Sequence, residues 1–588
     1  MGNARAWVVR WLAVLSVVAC VQCTRGKSHP EGTQPASTAA QPAAAAAPVA
    51  SAATGATYDD WSAGKLPASV LQGQPVSGGE LVVGLRTDPP SLNTNVDSDL
   101  VARWITGHRI YQGLIDVDPF DDPNYRVVPQ LAETWEISDD KKTYTFHLRK
   151  DVKWHDGLPF TARDVIATFD KVQDPTTKAV HVRSTLQELA GYSAPDDYTV
   201  VFKWKRPYFL SLDSLADIPI QPAHVIARLR GGQYNEAATN PLNRHPIGTG
   251  PFKFVAWESN QKIVLARNDQ YWAQKPYLER LVFRIQTDHT VMLQLAERGE
   301  IDMVDQVTSE QWVHMDSATL RKHWNRSKFY SANYAWIGWN EERPFFSDKR
   351  VRRALTLLVD RPGIIEKMLY GLPRATTCHF YWASPSCDAS LKPLPYDPAA
   401  AQKLLDEAGW KDSNGDGVRD KGGVEFRFIF MLPVGSTEAA HWAAKLKEDL
   451  ARVGIEMELQ TVEWAAFSKR LTEHRFDACT LLWGGGPRDE PSQIWHSSGI
   501  KGGSNFISYR NAAIDKMLED ARIMFDEEAR NALYRRFGAI LQDEQPYTFL
   551  YVRPELSLLS KKIKGARESL MWWQFESLWI DPSWNAAK

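Results

Sequence analysis

The 588-residue chain is poor in cysteine, nearly neutral and without a long apolar run, and each shortage narrows what it can be. Five cysteines cannot make a disulfide-dense scaffold, so the fold has to rest on apolar cores. Sixty-nine basic against 71 acidic residues leave a formal charge of −2, which gives no electrostatic argument for nucleic acid or an anionic membrane surface as a partner. The apolar stretch Trp11 to Ala19 falls well short of the roughly 20 residues that a spanning helix needs. Gly-x-Ser-x-Gly, His-Glu-x-x-His and P-loop patterns are missing too. Asp489 and Glu490, being neighbours, diverge and cannot flank a glycosidic bond as a catalytic pair does. A distant partner carboxylate would rescue that chemistry, so an exported hydrolase, peptidase or glycosidase, is kept as the rival reading.

What the chain does have is ample core material: 44% hydrophobic and 11% aromatic residues over a length that suggests several domains. Most of its 23 Trp read as core, with some left as ligand platforms. Arg5 and Arg10 precede the apolar run and Cys20 follows it, the layout of a secretory signal over residues 1–20. Val17-Val18-Ala19-Cys20 resembles a bacterial lipobox, which makes Cys20 the lipidation candidate, with an ordinary signal peptide cut nearby as the alternative. Residues 21–57 are mostly Ala, Pro, Ser, Thr and Gly, cannot bury enough to fold, and read as a flexible tether.

The best-specified stretch runs from Leu131 to Phe169. Tyr144, Phe146 and Leu148 alternate with Thr145, His147 and Arg149 as in a half-buried strand, after the polar turn Ser138-Asp139-Asp140-Lys141. Thr161-Ala-Arg-Asp164 reads as a capping box whose hydroxyl accepts an orphan amide, opening a helix with Val165, Phe169 and Val172 inward. Further on, Tyr198 to Trp204 alternates, Gly248-Thr249-Gly250-Pro251 makes a turn, Ser347 is a candidate N-cap for a helix carrying Val351, Ala354, Leu355 and Leu358, and Asp397-Pro398 starts another helix. The arginines at 350, 352 and 353 read as a solvated helix face. Val424–Phe430, Ala443–Leu450 and Ile455–Val462 give a β-α-β rhythm.

The run LAETWEISDDKKTYTFHLRKDVKWHDGLPFTARDVIATF resembles a segment of the family 5 extracellular solute-binding proteins, which deliver oligopeptides, dipeptides or nickel to ABC importers. Tyr111-Gln112-Gly113-Leu114, Ile247 to Phe252 and Ser347 to Leu355 resemble further family motifs in the family's order, from about residue 79 to 580. The resemblance implies an α/β chain with a two-lobed periplasmic binding protein fold, class II-like, with mixed β-sheets flanked by helices and an extra N-terminal subdomain at about 98–215. It implies lobe I over 58–331, lobe II over 332–552 and a C-terminal return to lobe I over 553–588, with crossovers near 329–340 and 545–551. It also implies a monomer, periplasmic or extracytoplasmic and lipid-anchored to a membrane, that captures a short peptide by hinge closure and serves an ABC permease and its ATPase. A sugar or a nickel complex is the alternative solute on the same fold.

The ligand site is expected around Trp483 to His496, with Trp483, Arg488, Asp489, Glu490 and Trp495 in it, and Tyr111 and Asn340 from elsewhere. Peptide binders of the family place there an aspartate for the ligand's α-amino group, and a buried ammonium does need a carboxylate. With Glu490-Pro491 in the family's Asp-Pro place, that aspartate falls on Pro487, so Asp489 or Glu490 is the substitute and Arg488 is available for a carboxylate. Asp412, Asn414, Asp416 and Asp420, with Gly417, match the first part of an EF-hand loop, but Gly423 stands where a bidentate Glu belongs. A weak structural calcium and an Asp/Gly turn both stay open, and no other cofactor is expected. Cys378 and Cys387 are the expected disulfide, with a zinc site beside His379 as the weaker reading.

Overall fold

The computed structural model describes residue 61 and residues 64–121, 125–216, 218–486, 488–567 and 573–584. Cys20, the signal and tether at 1–57, and Pro487 lie outside them. Among the described residues no helix is long and apolar enough to cross a membrane.

Two sheets organise the molecule. Glu80–Leu85 lies inside a seven-stranded mixed sheet, parallel to Arg280–Ile285 on one side and Met303–Val304 on the other. Trp324–Phe329 and Glu555–Ser560 pair antiparallel to complete one edge. The second sheet has five strands, in the order Glu456–Val462, Arg427–Pro433, Ala478–Gly484, Asn333–Trp339 and Tyr547–Phe549. Arg427–Pro433 and Glu456–Val462 are parallel with helix Thr437–Ala451 between them, the β-α-β unit expected from the sequence. Each sheet carries its own apolar core.

A four-stranded sheet, with Ala132–Ile137, Thr143–Leu148, Thr199–Trp204 and Leu189–Asp196 in that order, sits on the first lobe as a separate layer. Tyr144, Phe146 and Leu148 are buried in strict alternation and pack with Val165, Phe169 and Val172 of helix Ala162–Gln173. The helix opens on the expected capping box: Asp164 Oδ2 accepts the Thr161 amide at 2.8 Å and the Thr161 side chain faces the Asp164 amide, which also donates to the Thr161 carbonyl at 3.0 Å. The turn at Gly248 and Gly250 is tight because both press on the backbone of Arg109 and Ile110, where a Cβ would overlap a carbonyl.

Two expectations in the second lobe need correcting. The N-cap of helix Lys349–Leu357 is Asp348, whose carboxylate accepts the Arg350 amide at 2.9 Å, not Ser347. Arg352 is not on a solvated face: it is buried and donates to the carbonyls of Phe346 at 2.7 Å and Glu544 at 3.1 Å. Its planar fork can satisfy several carbonyls at once, which is what makes a buried guanidinium tolerable.

The chain passes between the two sheets twice. Tyr330 to Ala332 links strand Trp324–Phe329 to strand Asn333–Trp339, and Arg553-Pro554 links Tyr551–Val552 to Glu555–Ser560. Most of the run 329–340, and Tyr547–Phe549, are therefore strands of the five-stranded sheet rather than connecting segments. Asn333 ties the two passages together: its Oδ1 accepts the Arg553 amide at 2.9 Å, and its Nδ2 donates to the Arg553 carbonyl at 3.1 Å and to Ser331 Oγ at 2.8 Å.

Candidate functional site

Strand Ala478–Gly484 pairs with Asn333–Trp339 and ends beside the first interlobe passage, where the Gly485 amide donates to the Ala332 carbonyl at 2.7 Å. The described residues that follow, 485, 486 and 488–491, face the other lobe. Consecutive side chains there divide their partners. Arg488 Nη2 reaches Asp213 Oδ2, in the first lobe's subdomain, at 3.3 Å. Asp489 Oδ2 faces His379 Nε2 at 3.4 Å, and its Oδ1 accepts the Glu490 amide at 2.7 Å. Glu490 lies 3.8 Å from the Arg522 guanidinium and accepts from the amide and hydroxyl of Ser492.

The lobes touch along this seam. The Phe209 amide donates to the Arg522 carbonyl at 3.0 Å, Arg530 covers the Phe209 ring at 4.2 Å, and Tyr125 meets Tyr381 edge-on. Between them is a cavity of about 580 Å³, walled by Glu188, Arg206 and Tyr208 from the subdomain and by Ser492, His496 and Arg522 from the second lobe. That is within the usual size range of a small-ligand pocket. Ser492 and Arg522 are also the residues that hold Glu490, so the acidic loop and the cavity share a wall.

The two carboxylates differ in charge state. Burial works to raise Asp489, but the His379 side chain outweighs it and holds the group below the ordinary aspartate value. Burial raises Glu490 above the ordinary glutamate value, against Arg522 and Ser492. Asp489 remains 35% exposed and accepts one hydrogen bond, from the Glu490 amide, so it is the carboxylate free to take a cation.

The other predicted site residues are placed differently. Trp483 is 5% exposed and stacks between Trp336 and Phe506, forming the floor of the strand end rather than an open platform. Trp495 is fully buried against Tyr547 and Phe549, and its Nε1 donates to His379 Nδ1 at 3.1 Å. Tyr111 packs into the first lobe's core with Ile105, Ile110 and Phe252, so it does not reach the seam. Asn340 is fully buried, donating to the His474 and Phe476 carbonyls and accepting from the Glu342 amide; its polar atoms are all used inside the second lobe. Pro487 is outside the described residues.

His379 is the site residue the sequence reading passed over, noticed only as a neighbour of Cys378. That cysteine and Cys387 are joined by a disulfide, with Cα atoms 5.8 Å apart, and Cys479 is free and buried. The calcium candidates turn inward on their own loop. Asp412 accepts from the amides of Gly415 and Gly417, Asn414 from that of Asp416, Asp416 from that of Val418, and Asp420 from that of Ser413. These are the bonds of Asx-type turns. Among the described residues no group of three or more His, Cys, Asp and Glu is gathered that could hold a metal ion.

Comparison with known proteins agrees with this architecture. The chain is 32% identical over 511 residues to the oligopeptide-binding protein AppA of Bacillus subtilis, covering 84% of this chain and 90% of that protein. It is 29% identical over 485 residues to di/tripeptide-binding protein 1 of Pseudomonas aeruginosa, covering 78% and 86%. The solved structure of the Bacillus subtilis protein with a nonapeptide superposes with a TM-score of 0.72 at 28% identity, covering 86% of this chain and all of that one. Residues 126–505 match the middle region of bacterial extracellular solute-binding proteins, family 5, and the chain belongs to that family.

Proposed function

We propose that this protein captures short peptides between its lobes and presents them to an ABC permease, whose ATPase drives import. The observation that carries this is Asp489: a carboxylate held ionised by His379, partly exposed at the interlobe seam, with lone pairs to spare. It takes the ligand's α-ammonium, the one positive charge that every unblocked peptide has in common. Relatives named for oligopeptide and di/tripeptide binding support the ligand class. Main-chain groups at the strand ends supply generic hydrogen bonds to a peptide backbone, and the cavity lined by Arg206, Glu188 and His496 accepts varied side chains with water around them.

Closure is a hinge motion about Tyr330–Ala332 and Arg553-Pro554, two short passages side by side. One lobe then comprises residues 58–331 with 553–588 and the other 332–552. The protein works as a monomer, without turnover of its ligand and without a cofactor, outside the cytoplasm on a lipid anchor at Cys20 after removal of residues 1–20.

The test is native mass spectrometry of the body from residue 58, purified without refolding and then partly denatured to release what co-purifies. A ladder of short peptides is expected. Empty protein that also shows no thermal shift with a peptide library refutes the reading and turns attention to sugars, metal complexes and hydrolase substrates.

A further inference from the structure

One buried group stands directly behind Asp489 at the seam. His379 has a side chain only 2% exposed, yet its ring lies between the core and Asp489. Trp495 Nε1–H donates to Nδ1 at 3.1 Å, and the Tyr334 hydroxyl sits 2.8 Å from the same nitrogen. An indole nitrogen is a donor only, so Nδ1 of the neutral ring must be the acceptor and the ring proton resides on Nε2. Nε2 is the atom that faces Asp489 Oδ2 at 3.4 Å, close enough to orient the carboxylate and loose enough to tighten when a cation arrives. Trp495 itself cannot turn, wedged among Tyr547, Phe549 and Phe537. The His379 backbone is constrained as well, since the disulfide from Cys378 to Cys387 begins at the preceding residue.

We propose that His379 is a positioning residue for ligand capture: fixed in one tautomer by Trp495, it aims Asp489 at the ligand ammonium. The inference rests on Asp489 being the ammonium's partner, and the experiment separates the two. Trialanine and N-acetyl-trialanine are titrated calorimetrically against wild type, Asp489→Asn, His379→Leu, His379→Gln and Trp495→Phe, after thermal melts confirm that each variant is folded. Asp489→Asn is expected to weaken the free-amine peptide by at least tenfold, as loss of a charge-assisted hydrogen bond does, and to leave the acetylated one nearly unchanged. His379→Leu is expected to lose about tenfold on the free amine only. His379→Gln, whose amide can accept from Trp495 and donate to Asp489, recovers most of the loss, and Trp495→Phe, which keeps the packing but leaves Nδ1 to the Tyr334 hydroxyl alone, shows part of it.

Failure of Asp489→Asn to affect trialanine, or failure of wild type to bind it, overturns the ammonium assignment and the inference with it. A clear effect of Asp489→Asn alongside equal losses in His379→Leu and His379→Gln, or losses shared by the acetylated peptide, overturns the inference alone. If His379→Leu does not fold, His379→Gln with Trp495→Phe decides: selective weakening in Trp495→Phe supports the inference, and wild-type affinity in it overturns the inference.

Discussion

Replacing Arg488 by alanine separates two roles that the sequence left together. Its guanidinium lies 3.3 Å from Asp213 across the seam, with the two side chains 26% and 19% exposed. At an effective dielectric constant of about 20 the raw attraction at that distance is about 5 kcal/mol, most of it cancelled by the desolvation of both groups. A net contribution of about 1.5 kcal/mol to the closed arrangement remains, between the values typical of exposed pairs and of buried ones. Arg488→Ala should therefore lower the ratio of closed to open molecules about tenfold in the absence of ligand. Because a ligand that requires the closed state binds in proportion to that state's population, its apparent affinity falls by up to the same factor.

The assay pairs small-angle scattering of ligand-free protein with calorimetric titration of a peptide recovered from it. Asp213→Ala should reproduce both changes, and the double variant should be no weaker than either single one, since one interaction has been removed in all three. The reasoning is refuted if Arg488→Ala weakens binding while Asp213→Ala does not and the scattering profile stays that of wild type. Arg488 would then be a direct ligand contact.

Three further perturbations bear on the scaffold. Asn333→Ala removes two hydrogen bonds that join the two interlobe passages and a third within the first of them, worth about 2 kcal/mol together, and should lower the urea midpoint and loosen the ligand-free lobes; an unchanged midpoint would mean that the strands alone fix the passages. Burial pushes the Glu341 carboxyl up to about 7, against Arg352, so the folded protein binds that proton more tightly than the unfolded chain does. Its contribution is full below the ordinary glutamate range and is lost as pH rises through about 7. Glu341→Gln should thus stabilise by about 3 kcal/mol at pH 8 and by less than about 1 kcal/mol at pH 5, and a gain equal at both would discredit the assignment. Replacing Cys378 and Cys387 by serine opens a loop of sequence separation 9 and should cost about 2.5 kcal/mol in urea unfolding; a cost below about 1 kcal/mol would show that the unfolded loop is already constrained.

What could be read from the sequence was whatever repeats along the chain. Tyr144, Phe146 and Leu148 declare their strand by alternation, and Val165, Phe169 and Val172 their helix by spacing, because each faces a core that runs alongside it. The interlobe passages have no such signature. Tyr330-Ser331-Ala332 lies within an aromatic stretch that continues as a strand of the second sheet, and what marks the passage is Asn333, whose partners include Arg553, 220 residues away. Arg352 misleads for the same reason, since the Glu544 carbonyl that helps make its burial tolerable is 192 residues distant.

The site shows the limit most clearly. The end of strand Ala478–Gly484 identifies which loop faces the cleft, and with it Asp489. Trp495 has the same local sequence whether its ring meets a ligand or the core, and only its contact with His379, 116 residues earlier, assigns it to the core. Residue type thus tells which chemistry the seam can hold, while the supporting contacts come from pairs far apart in the chain. A carboxylate that has to stay ionised and aimed depends on those distant pairs as much as on its own loop.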